Sequence, residues 1–105
     1  MNNSLPIKNT NFDFLKTSIN ALLVELYAIT GTEKSKADQM VNLQAFLCEI
    51  TTTFKYLTIN DIKTACTKGA TGHYGDFHGI NCKSLCGFLR VYKTYLKPLT
   101  TNLIA

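Results

Sequence analysis

The sequence predicts an all-α fold: a compact four-helix domain with an aromatic- and glycine-rich loop before its last helix. Apolar residues recur at steps of three and four in successive stretches, the spacing that puts them on one face of a helix. Residues that cap helices stand where those stretches begin. The chain has 105 residues, 46% of them hydrophobic and 17% charged. That leaves room for one core and gives a globular balance rather than a disordered one.

The first helix is predicted from about Asn11 to Ile29, with Phe12, Leu15, Ile19, Leu22, Leu23, Leu26 and Ile29 on one face. Thr10 or Asn11 caps it, and Thr30-Gly31-Thr32 ends it, glycine accepting the left-handed backbone past a helix C-terminus. The preceding residues 1–10 are expected to form a flexible N-terminus. The second helix opens at Ser35, with Asp38 three residues on as an acidic capping-box partner. Its apolar stripe is Met40, Leu43, Leu47, Ile50, Phe54 and Leu57, too short for a lasting coiled-coil seam and suited to bundle packing. Thr51, Thr52 and Thr53 weaken its end, since β-branched side chains lose rotamer freedom in a helix.

The third helix has the clearest start. Thr58 is the expected N-cap, Asp61 stands at N3, and Leu57 and Ile62 hold the hydrophobic-staple positions. It is expected to stop at Gly69. Gly69, Gly72, Gly75 and Gly79 then punctuate a segment that also holds Tyr74 and Phe77. Aromatic anchors and glycines that accept positive φ describe a compact loop rather than a linker. Asn81 caps the last helix, with Ile80 and Leu85 in staple positions and Leu85, Phe88, Leu89, Tyr92 and Leu96 on its apolar face. Pro98 is expected to stop it, leaving 98–105 as a tail. The whole chain, 1–105, reads as a single domain.

No apolar run approaches the ~18 residues of a membrane span, and the N-terminus lacks a basic region followed by an apolar core. The expected setting is the cytoplasm, with no membrane partner. In that setting Cys48, Cys66, Cys82 and Cys86 read as reduced thiols that serve as small hydrophobes, and not as disulfides.

Charge is unevenly spread. Through Asp76 the lysines and acids balance; beyond it there is no acid, only Lys83, Arg90, Lys93 and Lys97, so the net charge of +4 belongs to the last helix. On a helical wheel these four fall within about a quarter of the circumference, beside the apolar face. Cations presented in line with no competing acid are what phosphate binding requires, and the nearby His73 and Tyr74 are candidates to stack on bases or donate hydrogen bonds. A solvated surface favoured by the helix dipole accounts for Lys93 and Lys97 but not for Lys83, which sits near the positive end.

Other constellations are weaker. Cys66, His73, His78, Cys82 and Cys86 are zinc-type ligands, but their spacing matches no metal knuckle, and no metal or cofactor is expected. The glycine segment lacks the order and the strand context of a phosphate-binding loop. Cysteine–histidine pairs without an oxyanion site or a closed pocket give no catalytic expectation and no small-molecule substrate.

The segment from Leu57-Thr58 through Gly72-His73-Tyr74-Gly75-Asp76-Phe77-His78-Gly79-Ile80-Asn81 to Tyr92 resembles small uncharacterised helical proteins of bacteriophages and mobile elements. Their signature is a short capped helix, then Gly-x-Tyr/Phe-Gly-x-Tyr/Phe-x-Gly-Leu/Ile-Asn, then a helix ending in an aromatic residue. The resemblance implies a phage-type protein of the host cytoplasm, an accessory to replication. With the basic helix, the expectation is a non-catalytic binding protein, not an enzyme. Its partner is DNA or RNA, or alternatively an acidic host or phage protein: the target of an inhibitor, or a neighbour in the virion or its assembly.

Overall fold

The computed structural model describes the backbone of residues 4–104 and the side chains of residues 4–94. A short 3-10 turn, Ile7–Asn9, precedes four helices: α1 (Phe12–Thr30), α2 (Lys36–Thr52), α3 (Ile59–Ala70) and α4 (Cys82–Ile104). The helices touch in a ring, α1 on α2, α2 on α4, α4 on α3 and α3 on α1. The all-α, four-helix expectation is met, and no strand is present among the described residues.

The helix starts follow the capping residues. Asn11 accepts from the N–H of Phe14 at 3.1 Å, Ser35 from that of Asp38 at 3.1 Å, and Asn81 from that of Ser84 at 3.0 Å. The box at α3 is complete: Thr58 Oγ1 accepts from the N–H of Asp61, and Asp61 Oδ2 accepts from the N–H of Thr58, both at 3.0 Å. Gly31 closes α1 in the left-handed conformation.

The core is apolar throughout. Leu15, Ile19, Leu23 and Leu26 of α1, Phe46 and Ile50 of α2, Ile59, Ile62 and Cys66 of α3, and Ile80, Leu85 and Leu89 around the start of α4 are essentially inaccessible. Burying such a side chain stabilises the fold by about 1.5–3 kcal/mol, and this set draws on all four helices. Asn42 ties three elements together, donating to the Tyr27 hydroxyl at 3.2 Å and to the Ile80 carbonyl at 3.4 Å.

Five expectations are corrected. Residues 1–10 were expected to be flexible, but from Pro6 the chain is docked: Ile7 is buried, and the N–H groups of Ile7 and Lys8 donate to the carbonyls of Leu57 and Lys55 at 2.8 and 3.0 Å. A buried isoleucine and two backbone bonds offset the entropy of ordering this segment. The apolar stripe of α2 does not run in helix to Leu57. The hydroxyls of Thr51 and Thr52 turn back to the carbonyls of Leu47 and Cys48, a side-chain competition that weakens helix continuation. The helix ends at Thr52, and Phe54 and Leu57 reach the core from a loop. α3 passes Gly69, expected as its stop, and ends at Ala70. Pro98 does not end α4, whose helical path continues to Ile104 in place of the expected tail; a proline removes one backbone donor at a cost of about 3 kcal/mol, and a long helix can absorb the loss. Finally, Phe12, Ile29 and Met40, placed on apolar faces by spacing, are exposed. They lie at or near helix ends: Phe12 and Met40 about one turn before the first buried residues, Leu15 and Leu43, and Ile29 two residues past the last, Tyr27.

Candidate functional site

The basic face of α4 is presented to solvent as far as side chains are described. Lys83, Arg90 and Lys93 are all exposed, while Leu85, Phe88 and Leu89 on the adjoining apolar face are buried. Lys83 and Arg90 are seven residues apart, close to two full turns, so both point the same way about 10 Å apart along the axis. Lys97 lies outside the residues whose side chains are described. Arg90 and Glu49 each act on Cys86, which lies close to the seam between α4 and α2. Lys93 leans toward the loop after α2, its Nζ 5.5 Å from the centre of the Phe54 ring.

The glycine loop is held by Phe88. Phe77 meets the Phe88 ring edge-on at 5.3 Å between centres, and Tyr74 lies tilted against it at 6.2 Å. Gly72, Gly75 and Gly79 all take positive φ, at 90°, 97° and 69°. These are backbone conformations other residues enter only with strain, and they let the loop fold its aromatics inward. Tyr74 is therefore packed, half-buried, against the core. It shares an open groove of about 310 Å³ with Asp76, His78, Lys83 and Ser84. His73 is exposed, its Nδ1 3.1 Å from the Thr71 hydroxyl. The structure thus groups Lys83, Arg90 and Lys93 on one helix face and places Tyr74 and His73 with the loop.

Three of the cysteines sit where α3 meets α4, and all four are free. The sulfurs of Cys82 and Cys86 are 3.9 Å apart. Burial, with Cys86 nearby, pushes the Cys66 thiol well above the ordinary range. Burial and then Cys82 push Cys86 up to about 12. Both are held as protonated thiols, whereas thiolate is the form a nucleophile or a metal ligand needs. No cluster of three or more metal-binding side chains is found among the described residues, and none of their helices is long and apolar enough to cross a membrane.

A second basic cluster lies outside the last helix. Tyr56, in the loop after α2, is 69% exposed. The Nζ atoms of Lys8 and Lys55 lie over its ring at 4.9 and 5.5 Å from the centre. Lys8 arrives there through the backbone bonds of the docked N-terminal segment, and Phe54, next to Lys55, carries Lys93 of α4. The two clusters therefore approach the same loop, 53–58, from its two sides in sequence: Lys93 at Phe54, Lys8 and Lys55 at Tyr56. Among the described residues no salt bridge ties down Lys8, Lys55, Lys83, Arg90 or Lys93. The available signal in the sequence was the interleaved Phe54-Lys55-Tyr56, but a helix expected to continue through it hid its exposure.

No protein-family model matches the chain, and neither the curated proteins nor the solved structures include a significant match. The functional reading therefore rests on the residues themselves.

Proposed function

We propose that this chain is a small non-catalytic binding protein that contacts DNA or RNA through the basic face of α4, as an accessory protein of a bacteriophage or mobile element. The observation that supports the reading most is the line of exposed cations Lys83, Arg90 and Lys93 along a helix whose own sequence carries no acid. Phosphates spaced along a nucleic acid meet such a line with several contacts at once, and each contact releases condensed counterions.

The test is fluorescence anisotropy with single- and double-stranded DNA and RNA at low and physiological salt. Binding that weakens with salt, and weakens further in Lys83→Glu, Arg90→Glu and Lys93→Glu, is the expected result. No binding at low salt, or equal affinity in the three variants, overturns it. Nuclease-resistant association with an acidic protein would then assign the same face to protein docking.

A further inference from the structure

Building on the nucleic-acid reading of α4, we infer that the exposed ring of Tyr56, with Lys8 and Lys55 over it, is a base-stacking platform that makes single-stranded nucleic acid the partner. A large aromatic side chain 69% exposed at a loop is poorly used by folding, since its apolar area stays in water. Here the loop is fixed. The Lys55 carbonyl accepts from the N–H of Lys8, the Leu57 carbonyl from that of Ile7, and Phe54 and Leu57 on either side of the ring residue are buried. The ring is thus presented on a rigid support, which limits the ordering cost of binding.

The two ammonium groups are placed to serve either state. In the free protein they lie against the ring face. A base stacking on a tyrosine is worth more than an exposed cation–π contact. An arriving base therefore displaces a lysine from the face, and that lysine is left beside the phosphates flanking the stacked nucleotide. Lys93, over Phe54, continues the cationic path toward Arg90 and the rest of the α4 face. Two acids on the neighbouring helices α2 and α3 are held by hydrogen bonds. Glu49 Oε2 accepts from the Thr53 hydroxyl at 3.2 Å, and Asp61 accepts from the backbone of Thr58 and the Tyr92 hydroxyl. A duplex keeps its base faces stacked inside and offers Tyr56 nothing to stack on, so the platform selects single strands.

The test compares wild type, Tyr56→Phe and Tyr56→Ala on a labelled single-stranded oligothymidylate and on a duplex of equal length, with thermal melting to verify folding. Tyr56→Ala should lower single-strand affinity by roughly five- to a hundredfold and leave duplex affinity within about twofold; Tyr56→Phe, which keeps the ring, should stay close to wild type. A 5-iodouracil oligonucleotide should photocrosslink to the peptide containing Tyr56. Single-strand binding that is unchanged in Tyr56→Ala, or falls equally on the duplex, overturns the platform while leaving the α4 reading intact. Absence of salt-sensitive binding to any oligonucleotide overturns both.

Discussion

The hydroxyl of Tyr92 donates to Oδ1 of Asp61 across 2.8 Å, while the other oxygen of that carboxylate closes the capping box of α3. One acid therefore fixes the start of α3 and ties it to the middle of α4. Burial, and then the bond to Asp61, push the Tyr92 hydroxyl from 10 up to about 12. A group whose folded value is raised contributes stability that is whole below its unfolded value and disappears as pH rises through the folded one. Tyr92→Phe should cost about 1–2 kcal/mol at pH 8. The difference from wild type should shrink between pH 10 and 12, read as urea midpoints at several pH values. A difference that persists undiminished above pH 12 would mean that the ring's packing, not its hydroxyl, matters.

Two glycines of the α3–α4 pair should respond in opposite directions to alanine. A Cβ on Gly69 would collide with the ring of Phe88, which Tyr74 and Phe77 already hold in place. Overpacking of this kind costs about 1–3 kcal/mol. At Gly87, on α4, a Cβ would meet nothing within 4 Å. Gly87→Ala should stabilise by about 0.5–1 kcal/mol through helix propensity alone. Thermal melts of the two variants should move to either side of wild type.

Much of this architecture was legible in the sequence because it rests on local chemistry. Thr58 and Asp61, Asn81, Ser35 and Gly31 act within four residues of themselves, and a single chain displays such pairings directly. What stayed hidden depends on partners distant in sequence. Gly69 read as a stop signal because nothing local reveals that Phe88 needs the space. Lys8 and Lys55 counted among balanced charges, yet backbone bonds bring them to one tyrosine. The α4 cations were legible as a stripe by periodicity, but their approach to the loop that carries a second cluster depends on where α2 ends.

Thiol chemistry should follow burial rather than sequence position. Cys48 is exposed, Cys82 partly so, and Cys66 and Cys86 are buried, with the buried pair held protonated. Labelling of the native protein with iodoacetamide at pH 8 should modify Cys48 first and leave Cys66 unreacted until the protein unfolds, as peptide mass spectrometry would show. Early modification of Cys66 would require that α3 and α4 separate readily, contrary to a core in which Cys66, Leu85 and Leu89 are fully buried.

The salt dependence of binding should report which cations meet phosphate. If Lys8, Lys55, Arg90 and Lys93 each neutralise one phosphate of a single strand, these four together contribute about −3 to the slope of the logarithm of the binding constant against the logarithm of salt, at ~0.7 per contact, beside the contribution of Lys83. Each charge-removing change, Lys8→Gln, Lys55→Gln, Arg90→Gln or Lys93→Gln, should then flatten the slope by about 0.7. Tyr56→Ala should weaken binding without changing the slope, because stacking releases no counterions. That separation is the sharpest distinction between the two parts of the surface, since affinity alone falls in every variant. A slope that stays at the wild-type value in all four glutamine variants would show that phosphate is met elsewhere on the chain. A slope change confined to Arg90 and Lys93 would leave α4 as the contact and remove the Tyr56 cluster from it.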